Sequence, residues 1–431
     1  MSLIDVRRPE WTPLAWAAGW FFCVLASYYA IRPVRDAYGV DAGPDGLRWL
    51  FTATFAAMLV VAPVYGRITI LVPKAWLPPI VYGFFAANLV AFWGALTTIA
   101  ASDAAWLQWA FYVWVSVFNL YAVTLFWSVA VDRFTAEQAK RLFGVAAGAG
   151  TLGGLAGSEA ARWIVRLASV ESVLWLSAAL LLGAILCAWQ FRKSTAHEAI
   201  VATADPRHEM AANSKGSLRA AAAGLVDVIH SPYLAGIAAL MILSSLCGTS
   251  IYMQMSDLVG QEIASPSARA DWYARLNNYQ NMLTLVGQTA AASWLIRRWG
   301  LAATLTVVPV VYAVGFTAIA GHPTLALLGA LDVAQRVASF AVGVPAREVL
   351  FTTVGREEKY RAKALIDTVG KRGGDTMAAH GYALLRTGLH WTPAAISLAM
   401  LPVAGVMAAV SAWLGLRHAR QSRAAADASA A

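Results

Sequence analysis

Charge is what this chain has least of. Asp, Glu, Lys and Arg make up 13% of its 431 residues, about half the roughly 25% of an ordinary soluble domain. Too little polar surface remains to cover a globule of this size in water, which excludes a soluble fold. Cysteine is scarce as well. Cys23, Cys187 and Cys247 fall in apolar stretches without pairing or metal-ligand spacing, so neither a disulfide framework nor a zinc site is expected, and they read as small hydrophobes. There is no P-loop, Ser–His–Asp or HExxH pattern, so the sequence predicts no enzyme chemistry, no cofactor and no metal. No nucleic-acid-binding motif competes, and no cleavage site follows the apolar centre of the first segment, which runs on into Arg32.

What the chain does have is apolar length. Hydrophobic residues reach 59% and the mean hydropathy is +0.58. A bilayer-crossing helix needs about 20 mostly apolar residues at ~1.5 Å rise each. Segments of that kind lie at 14–40, 49–72, 76–99, 104–131, 141–167 and 172–191. Six more follow a polar break, at 234–258, 272–296, 301–320, 323–343, 361–385 and 393–416. The expectation is an all-α membrane protein of twelve transmembrane helices in two six-helix bundles. The N-terminal bundle is 1–191, a cytoplasmic linker is 192–230, and the C-terminal bundle with a short tail is 231–431. The linker end at 224–231 suits a short amphipathic helix on the membrane. By analogy this is the major facilitator arrangement, with substrate near the midplane.

Lysine and arginine orient the spans. With the N-terminus in the cytoplasm, only Arg48, Arg162, Arg166, Arg269, Arg275 and Arg386 fall on the outer side. The inner loops collect the larger share, from Arg7 and Arg8 to Arg417, Arg420 and Arg423. By the positive-inside rule both termini are cytoplasmic, and the basic pI follows from topology. Trp11, Trp49, Trp76, Trp106, Trp272, Trp391 and Trp413 sit near span ends, as headgroup anchors do. Trp114 and Trp127 lie deeper, as packing or cavity lining.

The ionisable residues inside the spans carry the functional information, because a charge in the bilayer needs a pair, a wet cavity or a role. In the first helix, Arg32 and Asp36 stand four apart and can pair, which leaves Arg35 without a partner on its helix; Pro33 can kink the chain beside them. The bland alternative is that these arginines snorkel to the outer interface. The tenth helix carries Asp332, Gln335 and Arg336 at mid-span, where structural pairing is the rival reading. In the eleventh, Asp367 and Asp375 each stand four from Lys371, a spacing that suggests neutralisation and leaves Arg372 pointing elsewhere. Glu159 stands alone in the fifth. These ten residues divide equally between cations and carboxylates, so net charge alone does not show an anion site. Arg35 and Arg372 are the unpaired candidates, since guanidinium grips phosphate or carboxylate bidentately. The carboxylates Asp36, Asp332 and Glu159 can equally carry protons.

Amides form a second group. Asn277 and Asn281 stand one turn apart in the eighth helix, facing either neighbouring helices or a sugar or base in the cavity. Tyr252, Gln254 and Asp257 in the seventh helix are similar but nearer the outside. The run Gly148-Ala-Gly-Thr-Leu-Gly153 spells a dinucleotide fingerprint but sits inside an apolar span. With Gly144 and Gly157 it repeats as small-xxx-small pairs, a close helix-packing face where the bundle halves can rock.

Three stretches carry a resemblance: Ile31-Arg-Pro-Val-Arg-Asp-Ala-Tyr-Gly-Val40, then Leu125-Phe-Trp-Ser128 with Glu137-Gln-Ala-Lys-Arg-Leu-Phe-Gly144, then Ala362-Lys-Ala-Leu-Ile-Asp367 with Gly373-Gly374. In this order they resemble the ATP/ADP (NTP/NDP) translocase family, over most of the chain. The resemblance implies nucleotide exchange, with Arg35 and Arg336 where the nucleotide carriers have phosphate-binding lysines, and Arg32 beside them. One departure stands out. The carriers have an acid in the fourth helix, whereas here Asn119 is the side-chain amide of its inner half. The chain is most similar to the shorter branch of free-living bacteria, which places it in a bacterial inner membrane.

The function expected is therefore secondary transport of a nucleotide or another phosphorylated or anionic metabolite by alternating access. Arg35 and Arg336 would clamp the phosphate; lipid is the surrounding medium, and no nucleic-acid polymer or obligate protein partner is implied. The rivals are a proton-coupled exporter of a non-nucleotide solute, and a non-transporting sensor or scaffold.

Overall fold

The computed structural model describes residues 6–99, 104–195, 225–288 and 291–430. Among them the chain is helical throughout its ordered elements. The helices are α1 (Trp11–Asp41), α2 (Gly43–Leu71), α3 (Leu77–Thr98), α4 (Ala105–Arg133), α5 (Ala136–Leu167) and α6 (Val173–Ser194). Then come α7 (Pro232–Glu262), α8 (Pro266–Gln288), α9 (Ala291–Gly321), α10 (Leu325–Ala338), α11 (Val344–Leu350), α12 (Arg356–Leu365), α13 (Lys371–Ala383) and α14 (Pro393–Ala430). Nine helical segments among the described residues are long and apolar enough to cross a membrane. The other three expected spans, in α5, α8 and the run from Arg356 to Gly388, are helical too, but charges and amides shorten their apolar windows.

Most of the expected linker lies outside the described residues. Past it, residues 225–230 are helical and expose Leu225, Val226 and Ile229. Interior prolines at Pro33, Pro63 and Pro402 leave their helices continuous. The break in α9 comes at Gly300, with φ 80°, a conformation that glycine adopts without a Cβ clash.

The described residues fall into two compact units. The first holds α1, α2 from Ala56 onward, α3 to α6, and the stretch Ile263–Asn281 of α8. Its core is aromatic: Trp20, Tyr82, Phe111, Phe118, Phe126 and Phe191 are all fully buried. Trp20 Nε1 donates to Tyr82 Oη at 3.2 Å, and Tyr82 donates to the Ala122 carbonyl at 3.0 Å, which ties α1, α3 and α4 together. Across α1 and α6, Ser27 and Ser177 each donate to the other's backbone carbonyl at 3.1 Å. Such reciprocal bonds satisfy hydroxyls where lipid offers no partner. Trp114 stacks on Phe118 and Trp127 packs against Phe21, so the deep tryptophans here are packing residues.

The glycine face of α5 packs against α1. A Cβ on Gly153 would lie 2.2 Å from the Phe22 carbonyl oxygen, and one on Gly157 2.1 Å from that of Ala26. Gly144 and Gly148, included in that face from sequence, meet nothing within 4 Å, while Gly150 joins it against Phe21. The face seals a contact inside one unit and is no nucleotide loop. Because the obstacle is backbone, Gly157→Ala is expected to force the helices apart, at a cost of about 1–3 kcal/mol or more. A thermal-unfolding measurement in detergent checks this: the melting temperature falls clearly for Gly157→Ala and stays put for Gly148→Ala.

The second unit comprises Gly43–Phe55, α7 and the helices from Met282 onward. Three π-helical turns interrupt it, at Ser339–Gly343, Ile366–Gly370 and Leu384–Gly388. π turns gather at functional sites, because the extra residue redirects the side chains that follow. Gly374 lets α13 close on α7, since a Cβ there would meet Ser245 at 2.9 Å; the neighbouring Gly373 meets nothing.

Candidate functional site

In the first unit the cations of α1 share one carboxylate. Arg35 Nη2 lies 2.5 Å from Asp36 Oδ1, and Arg32 Nε lies 3.7 Å from Asp36 Oδ2. The sequence spacing paired Arg32 with Asp36 and left Arg35 over. The structure instead gives Arg35 the closer contact, because its guanidinium folds back along the helix to the adjacent residue. Arg35 also donates to Ser116 Oγ at 3.3 Å and lies 4.9 Å from the Tyr112 ring centroid on α4. Arg32 and Asp36 are buried and Arg35 is half-buried. Snorkelling does not describe this arrangement: two guanidiniums converge on one buried carboxylate. Arg32 lies 5.6 Å from the Tyr29 ring centroid, one turn back. Asn119, farther along α4, is half-buried.

Neither Glu159 nor its neighbours are isolated. Glu159 Oε2 accepts from Arg162 at 2.7 Å and from Asn278 of α8 at 2.7 Å. Asp271, also on α8, accepts from Arg162 at 3.2 Å and Arg166 at 3.1 Å, both on α5, and from Arg275 at 2.5 Å. Arg269 pairs with Asp41 at the end of α1. These contacts fasten the start of α8 to α5 and α1. Sequence reading placed Arg162, Arg166, Arg269 and Arg275 on the outer side and missed Asp271, because its partners are remote in sequence.

In the second unit, Asp332 is buried and fully engaged. Arg336 Nε donates to its two oxygens at 3.1 and 3.2 Å, and Gln335 Nε2 donates at 3.0 Å. Behind them, Tyr312 of α9 donates to Gln335 Oε1 at 3.0 Å. On the next helices the pairing differs from the sequence expectation. Asp367 pairs with Arg347 of α11 at 3.3 Å, and Asp375 pairs with Arg372 at 3.7 Å while accepting from Thr249 of α7 at 3.0 Å. The Lys371 ammonium, expected to be neutralised by both aspartates, makes no ion pair or hydrogen bond among the described residues. Arg372, expected to be free, is the one that pairs. The π turn Ile366–Gly370 accounts for the Asp367–Lys371 mismatch, since four-residue spacing aligns side chains only along a regular α-helix; within α13, Asp375 takes Arg372 three residues before it instead. Ser245 Oγ holds the Lys371 carbonyl at 3.1 Å.

Lys371 is crowded by protein yet keeps accessible surface, and Asp375, Arg372, Arg336 and Arg347 lie within electrostatic reach. Around it stand four cations, Arg336, Arg347, Lys371 and Arg372, against three carboxylates, Asp332, Asp367 and Asp375. Arg347, which sequence reading left in an inner loop, completes this cluster. Toward the C-terminal end of α7, Asp257 accepts from Arg386 at 2.7 Å and Tyr382 at 3.3 Å, and Gln254 Oε1 accepts from Ser397 at 3.0 Å.

On α8 the amides are left open. Asn277 is 3% exposed and Asn281 8%, and the Nδ2 of each has no hydrogen-bond partner among the described residues. Among the described residues no group of three His, Cys, Asp or Glu is placed to hold a metal ion.

No protein-family model and no curated protein matches this chain. Solved structures do. The nucleoside transporter NupG aligns at 13% identity with TM-score 0.59, over 95% of this chain and 99% of that one. A bacterial metal transporter aligns at 11% identity with TM-score 0.60, over 96% and 99%. An auto-inhibited peptide transporter of the POT family aligns at 13% identity with TM-score 0.60, over 95% and 96%. This likeness shows the fold: a polytopic helical architecture found in membrane transporters with quite different cargoes.

Proposed function

We propose that this protein is a secondary transporter of an anionic metabolite, with phosphorylated compounds such as nucleotides as the leading substrate class. Twelve crossings and alternating access complete the reading. The observation that carries it is the local excess of positive charge. Among the described residues Lys371 stands without an ion pair, with Arg336, Arg347 and Arg372 about it, and on α1 Arg32 and Arg35 converge on Asp36. Whole-chain counting conceals this excess, because Glu159 is taken up by Arg162 and Asn278. A cation crowded by other cations favours an incoming anion, and a bound phosphate or carboxylate supplies the missing charge with strong hydrogen bonds. The family resemblance of the α1 and Asp367 motifs points to the same substrate class.

Uptake into proteoliposomes of radiolabelled nucleoside phosphates and sugar phosphates tests this. The expected result is saturable uptake that accelerates when unlabelled phosphate ester is loaded on the trans side. Flux of a non-phosphorylated solute that follows an imposed pH gradient and ignores trans anion would establish the proton-coupled alternative. No flux of any solute would leave a sensor or scaffold.

A further inference from the structure

The α1 cations are not the end of the polar surface in the first unit. A Cβ placed on Gly154 of α5 would lie 3.0 Å from Asn281 Nδ2 and 3.0 Å from a ring carbon of Tyr29. Asn281 and Tyr29 thus meet over the bare Cα of Gly154. One turn along α1, Arg32 lies 5.6 Å from the Tyr29 ring centroid, and its Nε, 3.7 Å from Asp36, makes no hydrogen bond. One turn back along α8 is Asn277, more deeply buried than Asn281. Along α8 and α1 the residues Asn277, Asn281, Tyr29, Arg32, Asp36 and Arg35 thus run from neutral polar groups to charged ones.

We infer that Asn277 and Asn281, with Tyr29, form a subsite for the uncharged hydrogen-bonding body of the substrate, beside the α1 arginines that take its anionic group. The inference rests on the anionic reading above and narrows it. Two amides more than nine-tenths buried, with no partner for either Nδ2, are expensive to keep. Nearby Asn278 shows the contrast, since its Nδ2 is spent on Glu159. A side-chain amide both donates and accepts, so the ligand group that fits is a hydroxyl, amide or ring nitrogen. Inorganic phosphate would fill only the charged end. A phosphate ester with a polar body, such as a sugar phosphate or a nucleotide, would fill both. Gly154 sets the room at the junction, because any side chain there displaces Asn281 or Tyr29.

The test measures binding of inorganic phosphate, ribose 5-phosphate and adenosine monophosphate to the full chain in nanodiscs, for the wild type, Asn277→Leu and Asn281→Leu. At least one ester should bind wild type about tenfold or more tightly than inorganic phosphate, and each leucine variant should lose about tenfold for that ester alone. Because neither Nδ2 has a partner among the described residues, the unliganded melting temperature of both variants should hold or rise. Equal loss for ester and inorganic phosphate, no loss, no preference for an ester in wild type, or a fall in unliganded stability would each overturn the subsite. Absence of binding by all three probes in wild type would instead overturn the anionic reading, and the subsite with it.

Discussion

Lys371→Met is expected to abolish tight anion binding and leave the fold intact. Lys371 is the cleanest position for such a change because it carries no native ion pair. Arg336 is a poorer probe: its alanine variant would strand buried Asp332, whose oxygens accept from Arg336 at 3.1 and 3.2 Å. Methionine preserves the length and packing of the lysine stem and removes only the charge. A hydrogen bond to a charged group contributes about 1.5–3 kcal/mol, so affinity should fall roughly 10- to 150-fold. Unliganded stability should change little, because the attraction of Asp375 is lost together with the repulsion from Arg372, Arg336 and Arg347. Lys371→Arg should recover most of the binding. Isothermal calorimetry with a phosphate ester, alongside a melting curve, separates these effects.

Asp271→Asn is expected to open the junction of α5 and α8. The carboxylate holds Arg162, Arg166 and Arg275 together at 3.2, 3.1 and 2.5 Å. With the charge gone, three guanidiniums face one another, with Glu159 left to hold Arg162. Removing one member of a fully buried pair costs about 3–5 kcal/mol. Here the figure is smaller, since Arg166 and Arg275 are 47% and 50% exposed and partly screened. The consequence is separation of helix ends more than global unfolding. Spin labels at Ser169→Cys and Ala268→Cys, with the three native cysteines replaced by serine, read this out as a shift to longer distances. A distribution identical to that of the Asp271 parent would show that the cluster holds nothing closed. If this junction alternates during transport, the same variant changes the transport rate.

The helical class was legible because it follows from composition and length, which no tertiary detail can overrule: segments of about 20 apolar residues have one solution in lipid. The residues of the candidate site were legible for a similar reason, as charges and amides are rare in such segments. Their partners were not. Arg35 and Asp36 are adjacent, a spacing that helix geometry does not credit with facing side chains, yet the long guanidinium folds back. Lys371 and its two aspartates looked matched on a regular helix; the π turn before Lys371 undid the match with Asp367, and Arg372 took Asp375. No local propensity marks Ile366–Gly370 as π. Arg347 and Asp271 depend on contacts between remote segments, which a single sequence does not reveal. Among the glycines, the repeat was visible in sequence, while its neighbour, α1 in the same unit, was not.

The most direct test of an anionic cargo compares each phosphate ester with its dephosphorylated twin by thermal stabilisation of the purified wild-type protein. A ligand that binds only the folded state raises the melting point by mass action, by about 2.7 kcal/mol at a hundred times its dissociation constant. Adenosine monophosphate or ribose 5-phosphate should raise the melting temperature in a concentration-dependent way, with adenosine and ribose leaving it unchanged, and Lys371→Met should erase the difference. Equal stabilisation by the phosphorylated and the dephosphorylated compound, in wild type, would contradict an anion-binding role for the Lys371 cluster.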